Sequence, residues 1–129
     1  MAGIFSKIIA GEIPSYKIFE DDHCYAFLDI NPNAVGHTLC IPKKEVDKIF
    51  DLPAEDYKRL MDFSRKIALA IGKAIVCKRV GMSVIGLEVP HAHVHLIPLQ
   101  NMQDATFQNK LSLSPEEFES TAAKIRQYL

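Results

Sequence analysis

Apolar positions along the chain change their spacing several times, and each change marks an element. Residues 5–10 suit a short helix stopped at Gly11, with Pro14 blocking its continuation. Residues 16–19 and 24–28 read as two strands around the polar Glu20-Asp21-Asp22 turn, which makes a hairpin. Asp29-Ile30-Asn31-Pro32-Asn33 is a loop by its Asn and Pro content, and Gly36 precedes a strand over 37–41 closed by Pro42. A short basic helical turn fits residues 43–47.

The longest helix is set by Tyr57, Leu60, Met61, Ser64, Ile67, Ala68, Ile71 and Ile75, which follow the three-and-four spacing of one buried stripe. It is expected to start near Pro53, where Glu55 and Asp56 suit the positive end of the helix dipole, and to end around Val76. Residues 81–85 and 92–99 supply two more strands, with Pro90 at the beginning of the second. Ser114-Pro115-Glu116-Glu117 is a capping box with Pro in the first turn, so a last helix is expected to run to about Tyr128. Strands, a helix, strands and a helix again describe an α+β domain with a mainly antiparallel five-stranded sheet. Its 129 residues, 48% of them hydrophobic, suffice for one domain with a real core, taken to span 1–129.

Charge removes some partners. Lys and Arg total 15 against 16 Asp and Glu, a formal net charge of −1 with no basic run, so neither a polynucleotide nor a membrane surface is expected as partner. Residues 1–6 lack a basic segment followed by an apolar stretch, and no run of apolar residues is long enough to span a bilayer, so a cytoplasmic location is expected. Cys24, Cys40 and Cys77 are odd in number and form no C-x-x-C, which suits reduced, mostly buried thiols.

The chemistry concentrates in His91-Ala92-His93-Val94-His95-Leu96-Ile97, which holds three of the five histidines. On an extended strand His91, His93 and His95 share one face, about 6.6 Å apart at neighbouring Cα atoms, while Ala92, Val94 and Leu96 share the other. Two histidines at i and i+2 of a strand can chelate zinc, with Cys24, Cys40 and His37 as candidates to complete the set, though no second local cluster has ligand spacing. Alternatively, one neutral imidazole attacks phosphorus while its other nitrogen is held by a hydrogen bond and its neighbours donate to phosphate oxygens. The plainest reading has the three facing solvent or satisfying core polar groups, which fits a lone His better than a row.

The run fits the His-φ-His-φ-His-φ-φ signature of the histidine triad (HIT) proteins, which the chain resembles further. Ile4-Phe5-Ser6-Lys7-Ile8-Ile9-Ala10-Gly11-Glu12-Ile13-Pro14, Ala26-Phe27-Leu28-Asp29-Ile30-Asn31-Pro32 and Gly36-His37-Thr38-Leu39-Cys40-Ile41-Pro42-Lys43-Lys44 look like the opening of the Hint branch, in that order. The resemblance implies a HIT-like fold and a homodimer that binds a purine nucleotide of the AMP or GMP type. It implies hydrolysis of nucleoside phosphoramidates or related nucleotidyl conjugates without metal or other cofactor, through a nucleotidyl-histidine intermediate that releases a monophosphate. By position, His93 matches the nucleophile, His91 the histidine that supports it, His95 the one that binds phosphate or assists the leaving group, and His37 the histidine packed against the triad. Asp29 matches the ribose-binding acid, and Phe5, Ile8, Phe27 and Ile30 match apolar positions around the base. Many relatives carry a Gln near the phosphate before the triad, whereas this chain has Gly86-Leu87-Glu88-Val89-Pro90. Leu87 cannot donate a hydrogen bond and an ionised Glu88 repels phosphate, which leaves the Gly86 and Val89 amides as candidate donors. A non-catalytic nucleotide-binding regulatory module and a dinucleoside polyphosphate hydrolase are the alternative functions.

Overall fold

The computed structural model describes residues 2–129; Met1, the first residue of the segment read for a leader, lies outside the described residues. The elements run α1 (Ile4–Ile9), β1 (Lys17–Glu20), β2 (Cys24–Leu28), β3 (Thr38–Pro42), α2 (Ala54–Ala74), β4 (Arg79–Ser83), β5 (Val94–Leu99) and α3 (Pro115–Arg126). The strands form one five-stranded sheet in the order β1-β2-β3-β5-β4. Every pairing is antiparallel, as the α+β pattern requires.

Strand alternation divides the sheet into two unlike faces. Cys24, Ala26, Leu28, Cys40, Val94 and Leu96 point to one side and form a single core with Leu60, Phe63, Ile67, Ala70 and Ile71 of α2 and Phe118, Ala122 and Ile125 of α3. Tyr25, Phe27, Leu39 and Ile41 point to the other, where Phe5 and Ile8 of α1 cover them. In the β3–β5 register Leu39 lies opposite His95, so His95 extends this second, α1-covered face.

Several boundaries differ from the sequence pattern. The α2 stripe is rotated: Phe63 and Ala70 are buried while Tyr57 is 37% exposed, because the helix packs on a sheet that reaches past a narrow three-and-four stripe. No helical turn forms over 43–47; those residues run as a bend, and a 3-10 turn follows at Ile49–Asp51. The backbone of the bend is spent instead on cross-links, with Ala92 N–H donating to the Val46 carbonyl at 2.7 Å. β4 covers Arg79–Ser83 rather than 81–85, and β5 starts at Val94 rather than 92, so His91 and His93 precede the ladder and His95 alone lies within it. The C-terminal capping box forms as the sequence indicates: Ser114 Oγ accepts from Glu117 N–H, and Glu117 Oε1 accepts from Ser114 N–H.

Candidate functional site

Two loops and one strand approach bring the site together. The β2–β3 hairpin loop carries Asp29 at one end and His37 at the other, closed by Asp29 N–H donating to the His37 carbonyl at 2.9 Å. Gly36 makes the turn into β3 with φ +98°, and a Cβ there would press on Ile75 and Pro98 at 3.1 and 3.2 Å, so glycine is needed on both counts. The end of β3 and the bend after it strap the triad from the side: His91 Nε2 donates to the Pro42 carbonyl at 2.7 Å, while Glu45 accepts from Gly3 N–H and Ser6 Oγ, fixing α1.

Backbone groups fix the ring tautomers, because a peptide N–H only donates and a carbonyl only accepts. Asn33 N–H lies 2.9 Å from His37 Nδ1, so that nitrogen accepts and the proton of the neutral ring sits on Nε2. His37 Nε2–H then donates to His95 Nδ1 at 3.0 Å, which puts the His95 proton on its own Nε2. His93 runs the other way, with Nδ1–H donating to the His91 carbonyl at 2.7 Å and Nε2 left as a bare lone pair. His91 donates through Nε2, and its buried Nδ1 has no partner among the described residues. Its link to His93 is therefore made by its backbone carbonyl.

Burial favours the neutral form of His95, His37 and His91. Removal from water, reinforced by the neighbouring His93 and Lys110, pushes His95 down to about 4. Burial followed by the influence of His95 and Lys110 takes His37 down to about 3. Burial likewise lowers His91, and it raises Asp29 above the usual carboxylate range against the opposing pull of the Asn31 N–H bond. His95 is thus a neutral hydrogen-bond donor near pH 7, with no second proton to give. Phe5 packs edge-on against His91 and His93 at 5.6 and 5.2 Å between centroids, and His93 against His95 at 4.9 Å.

Two cavities meet at His93. The first, about 270 Å³, is walled by Phe5, Ile8, Phe27, Ile30 and Val89, apolar residues suited to a flat ring, and Asp29 stands at its rim. The second, about 510 Å³, has His93 and His95 at its base, residues 85–88 along one wall and Thr106, Phe107 and Lys110 along the other. Asp29, Asn31, Glu88 and His93 line both, so they form one cleft with an apolar end and a polar end.

The sequence-derived site residues therefore converge. His93, His95, Asp29, Ile30, Phe5, Ile8, Phe27, Gly86 and Val89 line the cleft, whereas His91 and His37 stand behind it as buried supports. Asp29 also serves its loop, since Oδ1 accepts from Asn31 N–H at 2.8 Å. Sequence reasoning missed Asn33, Thr106, Phe107 and Lys110. Asn33 joins the hairpin loop to the C-terminal segment, its amide donating to the Asp104 carbonyl at 2.9 Å and its Oδ1 accepting from Lys110 Nζ at 2.7 Å. Phe107, at φ +63°, holds its ring 4.8 Å from that of His95. No local signal marks them, because residues 106–110 read as an ordinary polar stretch around one Phe.

Asp29, His37 and His95 bring potential metal-ligand atoms within 4.8 Å of one another. Their hydrogen bonding does not fit a cation: both His37 nitrogens are committed, one as acceptor and one as donor, and His95 Nδ1 is the acceptor of that donor. The two buried thiols are no better placed, since Cys24 and Cys40 point to the α2-covered face of the sheet, away from the histidines. Among the described residues no helix is long and apolar enough to cross a membrane.

Residues 10–102 match the HIT domain family. An adenosine 5'-monophosphoramidase of Schizosaccharomyces pombe is 34% identical over 128 residues, covering 97% of this chain and 96% of that protein. Among solved structures, a HIT-like protein of Bartonella henselae superposes with a TM-score of 0.87 at 36% identity, covering 98% of this chain and 96% of that one. A zinc-bound histidine triad protein of Mycobacterium smegmatis superposes with a TM-score of 0.84 at 25% identity, covering 99% and 93%.

Proposed function

The chain belongs to the histidine triad family, and from that premise we propose that it hydrolyses nucleoside phosphoramidates or related nucleotidyl conjugates through a nucleotidyl-histidine intermediate at His93. The observation that carries this reading is the opposed pair of tautomers: a bare Nε2 lone pair on His93 beside a proton-bearing Nε2 on His95, both opening on the same cleft. A nucleophile and a phosphate-oxygen donor are thereby fixed before substrate arrives.

A purine and its ribose occupy the apolar end, with Asp29 accepting from the ribose hydroxyls and Ile30, Phe27, Phe5 and Ile8 against the base. His93 Nε2 attacks the α-phosphorus in line with the leaving nitrogen. The Nε2–P bond forms, the P–N bond breaks, and the amine leaves with a proton from solvent, because neutral His95 has none to spare. Charge developing on the phosphoryl oxygens meets His95 Nε2–H and the Gly86 amide, while the positive charge arising on His93 is spread through Nδ1–H to the His91 carbonyl. Water then displaces His93 in a second in-line step, releasing a nucleoside monophosphate and a proton and restoring the neutral ring.

Two successive displacements retain configuration at phosphorus. Turnover of a phosphoramidate made chiral at phosphorus by sulfur substitution is expected to give a monophosphate of retained configuration; inversion contradicts the intermediate. A homodimer fits the free edge of β4, which exposes Met82 beside Val84 and Ile85, and light scattering at working concentration checks it.

A further inference from the structure

The polar end of the cleft has unequal walls. Leu87 on one is 89% exposed and carries no donor, whereas Lys110 on the other is a cation without a carboxylate within ion-pair distance among the described residues. Lys110 is held in place: Nζ donates to Asn33 Oδ1 at 2.7 Å and lies 4.7 Å from the centre of the Phe107 ring, leaving two ammonium protons uncommitted. The segment that carries it is pinned to the hairpin loop by Leu111 N–H on the Pro32 carbonyl and by Asn33 on Asp104. Ordering this side chain therefore costs little further entropy when an anion arrives. Lys110 lines the polar cavity and is absent from the lining of the apolar one, whereas Glu88 is shared by both. With the nucleoside in the apolar end and His93 at the junction, a group leaving opposite His93 passes into the Lys110 end.

We infer that Lys110 is a specificity-determining residue that binds an oxyanion carried by the leaving group, so that this protein favours nucleotidyl conjugates of amines bearing a carboxylate or a phosphate over those of neutral amines. The inference rests on the phosphoramidase reading and deepens it. Asn33 acts as the positioning residue, holding the ammonium through its side chain while its backbone N–H sets the His37 tautomer.

The test compares three adenosine phosphoramidates of similar size, whose leaving amines are propylamine, β-alanine and 2-aminoethyl phosphate. Wild-type kcat/KM is expected to favour one or both anionic amines over propylamine; the two anionic arms tell carboxylate from phosphate. Within each variant the anionic-to-neutral ratio is read, so that any loss common to all substrates cancels. The ratio is expected to fall about fivefold in Lys110→Gln, to fall further in Lys110→Glu, and to be largely kept in Lys110→Arg. No anionic preference in the wild type, an unchanged ratio in Lys110→Gln, or an equal fall for all three substrates overturns the inference, the last because it places Lys110 on the α-phosphate. Dissociation constants of the same compounds on the His93→Asn background, with and without Lys110→Gln, give the ratio without turnover. Failure of the phosphoramidase reading and failure of the Lys110 inference therefore give different results.

Discussion

The two faces of the sheet are built by the same alternation and used for opposite ends. On one, Ala92, Val94 and Leu96 meet the apolar stripe of α2, with Leu60, Ile67 and Ile71 wholly buried. On the other, one residue out of step, His91, His93 and His95 are almost as buried, but His91 and His93 donate to carbonyls and His95 accepts from His37, whose tautomer the Asn33 N–H sets. The apolar face gains stability from area removed from water, whereas the histidine face sets direction, deciding which ring nitrogen carries a proton and which does not. A single seven-residue stretch thus anchors the fold with its even positions and presents chemistry with its odd ones.

Substitutions on the two faces are expected to separate activity from stability. His93→Ala is expected to lower kcat by about 10⁴-fold while costing about 1 kcal/mol of stability, checked by steady-state kinetics beside urea unfolding. Ile67→Ala, in the core on the opposite face of the sheet, is expected to cost about 3 kcal/mol and leave kcat of the folded fraction near wild type. If the Ile67 variant loses kcat in proportion to stability, the faces are not independent.

Acid probes the same division. His37 and His95, held near 3 and 4, stay neutral in the folded protein while the unfolded chain protonates near 6.5. Below about 6.5 the unfolded state binds more protons, so stability present above that pH is lost as pH falls toward the folded values, by about 2 kcal/mol per histidine between pH 7 and pH 5. His91 contributes with the same sign, whereas Asp29, raised by burial, works the other way as it ionises. Urea midpoints at the two pH values check the slope, and a flat profile contradicts the neutral relay. The smallest expected effect is at the rim, where Asp29→Asn is expected to cost about tenfold in kcat/KM and to abolish discrimination against the 2'-deoxyribose substrate, measured as a paired comparison.

Much of this was legible in order of residues, for identifiable reasons. Periodicity located α2, the hairpin and the alternation at 92–96 because each is a local consequence of side-chain direction. The α2 stripe was misjudged at Tyr57 and Phe63 because the width of the buried face is set by the sheet beneath it. The bend over 43–47 forms no helical turn because its groups serve partners distant in sequence: Lys43 N–H donates to the His23 carbonyl, the Val46 carbonyl accepts from Ala92, and the Glu45 carboxylate accepts from Gly3 and Ser6. At the site, the odd histidines and Asp29 were visible in a motif, while the tautomers depend on carbonyls and amides that no side-chain pattern encodes. Lys110 was invisible for a related reason: Pro32 and Asn33, far back in the chain, bring it to the cleft.

The central claim, that His93 Nε2 is the attacking atom, is tested most directly by mass spectrometry of protein quenched within the first turnover of an adenosine phosphoramidate. The account predicts one nucleotidyl group per chain, mapped to His93, labile to acid, and absent from His93→Ala. A group mapped to His91 or His95, or an undiminished group in the His93→Ala protein, contradicts it.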